Sequence, residues 1–127
     1  MAVRIASMAL RLFFVLNLIL GILFWVGAAT GLIAIHMLVG IIFVALVWFL
    51  GLAQAATKEG SLGLMVGTFA IGFLLAIIGL FQGSWLVGSA HWIIQVLHLL
   101  FAAAAAGLGE AATARYRRGV AASAAAA

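Results

Sequence analysis

Apolar residues fall into four long runs separated by short connections, and the few charged residues lie near the ends of the runs or outside them. A helix that crosses the hydrocarbon core of a membrane needs about 20 mostly apolar residues, and each run reaches that length. We place the four helices near residues 9–28, 32–55, 62–82 and 87–109. The runs lack the short alternating segments of a membrane β-barrel. The pattern therefore predicts an all-α fold, an integral membrane four-helix bundle with up-down topology.

Composition supports the same class. Of the 127 residues, 69% are hydrophobic and 6% are charged, whereas soluble domains are nearer half apolar and a quarter charged. We interpret residues 1–119 as one four-helix membrane domain and 120–127 as an alanine-rich tail. Cysteine is absent, which excludes disulfides, thiolate zinc sites, iron-sulfur clusters and thiol nucleophiles.

The cations are concentrated at one side of the predicted bundle. They are Arg4, Arg11, Lys58, Arg115, Arg117 and Arg118. The connections near 28–31 and 82–89 carry no charge. Because positive charge collects on the cytoplasmic side of membrane proteins, both termini are predicted to be cytoplasmic, in a multi-pass protein of the bacterial inner membrane. The basic residues form a short tail and not a charged face, so we expect the lipid bilayer, and no nucleic acid, as a partner.

Polar residues inside the runs are the candidates for chemistry, because burying them in lipid is costly. All three histidines lie on the second and fourth predicted helices, as His36, His91 and His98. Gln95 shares a helical face with His91 and His98, since the three are spaced by four and three residues. Gly40 lies one turn after His36.

This arrangement predicts a flat slot lined by imidazoles, with small residues one turn below. Such a slot suits a haem, whose iron accepts neutral imidazole nitrogen from opposite sides. Without a cysteine the haem would be b-type and non-covalent. His36 would be one ligand. Counted back from the charged residues after each helix, His91 lies at a depth similar to that of His36, which favours His91 as the second ligand. A short repeat that aligns His36-Met-Leu-Val-Gly40 with His98-Leu-Leu-Phe-Ala102 favours His98 instead.

Purely structural roles are an alternative to haem binding for these histidines and small residues. Membrane histidines also form hydrogen bonds across helix interfaces, and small residues let helices pack closely. We assign the pairs Gly63 with Gly67 and Gly27 with Gly31 to packing, and Asn17 to a hydrogen bond between helices. Gln95 either orients a ligand imidazole or satisfies its neighbours. Zinc held by all three histidines is awkward, because about two helical turns separate their levels.

With His36, His91 and His98 on two helices of a four-helix bundle, the chain resembles small membrane b-type cytochromes, the cytochrome b561-like proteins in particular. The resemblance implies haem held between histidines of different helices. Members with two haems need four ligands, so three histidines allow a single haem here. The chain is also similar to short bacterial four-helix proteins with a His-Met-Leu-x-Gly segment and a Gln-Val-Leu-His-Leu-Leu segment.

Two functions from different classes follow. The first is a haem b protein that transfers electrons near the outer membrane face, with quinol as a candidate partner. The second is an accessory subunit of a respiratory or photosynthetic membrane complex, associated with other membrane subunits or with copies of itself. It would carry a chlorophyll-type pigment on one histidine, or no cofactor. Hydrolytic triads are excluded because aspartate is absent and both glutamates lie near the cytoplasmic edge. Whether the protein is an enzyme stays open.

Overall fold

The computed structural model describes residues 1–126 and contains four long helices. They are α1 (Ala2–Trp25), α2 (Ile33–Ala55), α3 (Leu62–Phe81) and α4 (His91–Ala125). Short 3₁₀ turns, Thr30–Leu32 and Gln82–Ser84, precede α2 and follow α3. Residues 1–126 contain no strand, and all four helices are long and apolar enough to cross a membrane. The predicted all-helical class with four candidate membrane spans is confirmed.

The helix ends differ from the predicted spans most clearly in α4. This helix begins at His91 because Gly88, just before it, has a φ of 92°, which does not continue into a right-handed helix. It runs to Ala125, beyond residue 109 and through nearly all of the alanine-rich tail. Alanine has the highest helix propensity, and no proline is present to end the helix. At 35 residues, α4 exceeds the length needed to cross the hydrocarbon core.

The second helix is the centre of the bundle, since α2 packs against α1, α3 and α4. Within the described residues α1 and α3 do not contact each other and flank the α2–α4 pair. The core is made of small and medium apolar side chains, and its residues are Val3, Ala6, Leu10, Phe43, Val44, Val47, Leu50, Leu75, Ala105 and Ala112. Large apolar side chains also cover the outside of the helices, as expected where the surrounding medium is lipid.

Polar contacts join the helices at one end of this core. The fully buried Gln54 amide donates to the carbonyls of Gly51 and Ser61, at 3.0 and 2.9 Å, and accepts from the Ser61 N–H at 3.0 Å. Arg11 of α1 donates two hydrogen bonds of 2.7 Å to the Glu110 carboxylate of α4. These contacts connect α2 to α3 and α1 to α4.

At the opposite end of the bundle, two of the helices contribute no fully buried residue. From Arg11 to the end of α1, and from the start of α2 to Ile42, every residue is exposed or partly buried. Buried residues at this level come from α3 and α4, where they are Leu75, Ile78 and Ile94. Two predicted site residues, His36 and His98, lie at this end.

Candidate functional site

Two of the three histidines face each other across the bundle. His36 is on α2 and His98 is on α4. Their ring centroids are 6.3 Å apart, and their planes are inclined by 52°. Both side chains are partly buried. The structure therefore brings together imidazoles that are 62 positions apart in the sequence.

The flanking helices contact these imidazoles through small or aromatic residues. On α1, the edge of Phe24 meets the His36 ring at a centroid distance of 5.3 Å, and a Cβ placed on Gly21 would lie 3.9 Å from His36 Cε1. On α3, a Cβ placed on Gly79 would lie only 3.1 Å from His98 Cε1. We call Asn17, Gly21, Phe24, His36, Gly79 and His98 the histidine layer.

Asn17 connects α1 to the backbone and ring of His36. When its amide is oriented by its hydrogen-bond partners, the nitrogen donates to the His36 carbonyl at 3.0 Å and to His36 Nδ1 at 3.1 Å, and the oxygen accepts from the Gly40 N–H at 3.1 Å. Asn17 is thus a hydrogen bonder between helices, as predicted. Sequence reasoning missed that its partner is a candidate ligand, because nothing in the pattern aligns α1 with α2.

The His98 ring has a different environment. Its Nδ1 is buried and has no hydrogen-bond partner. Leaving a buried polar atom unpaired costs about 1–3 kcal/mol, so native proteins seldom tolerate one without a reason. Gly79 lets this ring lie close to α3, since a Cβ there would be only 3.1 Å from His98 Cε1.

The pairing of His36 with His98 corrects the depth argument, which favoured His91. The same offset of 62 residues that relates the two histidines also relates Thr57 to Gly119, which lie in contact. On α4 the counterpart of Lys58 is therefore near residue 120, and not at Glu110 or Arg115, which served as depth markers. The predicted depths were wrong because the charged residues of α4 begin well before the level at which α2 ends.

His91 is turned toward the preceding loop. Its Nδ1 lies 3.1 Å from the Trp85 carbonyl, so the neutral ring donates from Nδ1. Gln95 is partly buried between His91 and His98 on α4, and within residues 1–126 its amide makes no side-chain hydrogen bond. Across the same residues no group of three or more His, Asp or Glu side chains is placed to hold a metal ion.

The two glycine pairs that the sequence predicts to serve helix packing have different surroundings. Gly67 lies against α4, where a Cβ would be 3.8 Å from a methyl of Leu108. The assignment of Gly27 and Gly31 to packing is wrong, because nothing lies within 4 Å of a Cβ at either position. Gly27 instead has a φ of 76° and forms the turn after α1, a conformation that favours glycine.

The two facing imidazoles are spaced like a pair that shares one metal ion. Two imidazoles bound to one metal ion, each at about 2 Å, have ring centroids about 6 Å apart. The observed separation of 6.3 Å is of this size. The unpartnered His98 Nδ1 lies toward α3, where a Cβ placed on Gly79 would be 3.8 Å from it.

No known protein family, curated protein sequence or solved structure matches the chain. The functional argument therefore depends on the geometry of the histidine layer alone.

Proposed function

We propose that the protein is a membrane-embedded haem b protein that transfers electrons, in which His36 and His98 would hold a single non-covalent haem. The observation that carries the proposal is the facing pair of imidazoles on α2 and α4, with centroids 6.3 Å apart. A bound haem supplies reversible one-electron chemistry.

The remaining residues of the site would position the ligands and exclude water. Phe24 packs edge-on against His36, and Gly79 permits His98 to lie close to α3. Asn17 fixes the His36 ring through its amide. No acidic side chain belongs to the histidine layer, so both imidazoles are expected to be neutral, which is the form of the ring that binds a metal.

The orientation in the membrane forms part of the proposal. We place both termini and Lys58 on the cytoplasmic side of a bacterial inner membrane, with the helices in up-down order, because the cations lie at that side. His36 and His98 would then lie in the outer half of the bilayer. This depth favours electron exchange with quinol or with a partner protein at the outer face.

The direct test is the visible spectrum of protein purified in mild detergent from cells that make haem. We expect a Soret band and an α band that sharpens on reduction, with one haem per chain by the pyridine haemochrome assay. His36→Ala and His98→Ala should each lose most of the haem, because one imidazole cannot replace two. His91→Ala is the matched control and should keep it.

Other results would contradict the proposal. A far-red band in place of the haem bands would instead support a pigment-binding accessory subunit. A colourless protein that also fails to take up added haemin would leave an accessory role without a cofactor. Loss of haem in His91→Ala together with retention in His98→Ala would overturn the ligand assignment.

A further inference from the structure

Asn17 makes three hydrogen bonds to one short stretch of α2. Its amide nitrogen lies 3.0 Å from the His36 carbonyl and 3.1 Å from His36 Nδ1, and its oxygen lies 3.1 Å from the Gly40 nitrogen. A Cβ at Gly40 would be 3.7 Å from the Asn17 amide, so the glycine lets the amide lie close to the backbone. The amide orientation is fixed by the backbone groups, because one is an acceptor and the other a donor.

This orientation determines which nitrogen of His36 carries the proton. The Asn17 nitrogen can only donate, so His36 Nδ1 must accept, and the proton of the neutral ring must be on Nε2. The Asn17 amide thus selects the Nε2–H tautomer. Nδ1 is also occupied by this contact, which leaves Nε2 as the nitrogen that could reach a metal.

Metal binding requires the opposite tautomer. An imidazole that binds through Nε2 must offer its lone pair there, so the proton has to move to Nδ1, and the neutral ring neither gains nor loses a proton. In the present amide orientation this would set two N–H groups against each other at 3.1 Å. Turning the amide over would bring its oxygen to Nδ1–H, but it would also set that oxygen 3.0 Å from the His36 carbonyl and the amide nitrogen 3.1 Å from the Gly40 N–H. The Asn17 contact must therefore be given up before Nε2 of His36 can bind a metal.

We infer that Asn17 is a positioning residue that holds the free His36 ring in its Nε2–H form, and that this contact must be given up before His36 can bind a metal through Nε2. The second half of this inference rests on the proposed haem function, and the first half does not.

The first half is tested by ¹⁵N NMR of histidine-labelled protein in detergent micelles, prepared from cells unable to make haem. His36→Gln identifies the His36 signals. We expect wild-type His36 to carry its proton on Nε2, and Asn17→Leu, which is nearly isosteric, to lose this preference. Protonation of wild-type His36 on Nδ1 would overturn the inference even if Asn17→Leu does not fold. An Asn17→Leu spectrum identical to wild type would do the same.

The second half is tested by titrating haemin into protein prepared without haem. We expect Asn17→Leu to be half-saturated at a severalfold lower haemin concentration than wild type, because no contact to His36 Nδ1 has to be given up. Gln82→Leu is the matched amide control, outside the histidine layer, and should take up haemin like wild type. Equal uptake by Asn17→Leu and wild type would overturn the second half while leaving haem binding intact. Failure of wild-type protein to bind haem would refute the proposed function and the second half together, and the NMR result would still decide the tautomer.

Discussion

At the residue scale, the two facing imidazoles have unequal surroundings. His36 is held by the Asn17 amide and the edge of Phe24, whereas His98 Nδ1 is buried without a partner. Residue type identified both histidines as candidates from the sequence, because imidazole is a metal ligand and is costly to bury in lipid. Gly79 was missed, since one glycine in an apolar run gives no signal until the neighbouring helix is known.

Gly79→Ala should reduce the haem content severalfold. The added Cβ would lie 3.1 Å from His98 Cε1, so the ring must move away from α3. Gly83→Ala is the control, because nothing lies within 4 Å of a Cβ there. The ratio of Soret absorbance to protein absorbance in purified samples measures the effect. Equal haem content in the two variants would show that the close contact does not position His98.

At the element scale, the four helices could be predicted from apolar run length, but their register could not. The Arg11–Glu110 ion pair joins residues 99 positions apart, and no local pattern links them. Counting depth from charged residues failed because Glu110, which pairs with Arg11 on the surface, lies well before the level at which α2 ends. The short repeat around His36 and His98 carried the correct register, although it covers only five residues.

Gln54→Leu should destabilise the connection between α2 and α3. The amide is fully buried and satisfies both backbone groups of Ser61. Removing it leaves the partly buried Ser61 N–H without its partner, at a cost of about 1 kcal/mol, whereas the Ser61 carbonyl still accepts from the Met65 N–H at 3.1 Å. Thermal unfolding in detergent, followed by the fluorescence of the four tryptophans, should show a lower midpoint than for Gln82→Leu. Equal midpoints would mean that water or other groups replace the amide.

At the scale of the whole molecule, the bundle has a filled core at one end and a histidine layer at the other. The filled end includes Gln54 and the Arg11–Glu110 pair, which connect α2 to α3 and α1 to α4. We expect these connections to limit how far the helices that carry His36 and His98 can move relative to each other. Rigid elements that position ligands in advance favour tight binding of a cofactor.

The membrane orientation predicts opposite accessibility for two exposed serines. Because the chain has no cysteine, Ser89→Cys and Ser123→Cys each introduce a single thiol. In intact cells with a permeable outer membrane, a membrane-impermeant maleimide should label position 89 and spare position 123. Inside-out vesicles should give the reverse. Labelling of position 123 from outside would contradict the placement of the C-terminal end in the cytoplasm.

The central claim is that two imidazoles share one iron, and low-temperature electron paramagnetic resonance of the oxidised protein tests it most directly. We predict a low-spin ferric signal of the bis-imidazole type in the wild type, converted to high spin or lost in His98→Ala. A high-spin wild-type signal, or a low-spin signal that His98→Ala leaves unchanged, would contradict the account.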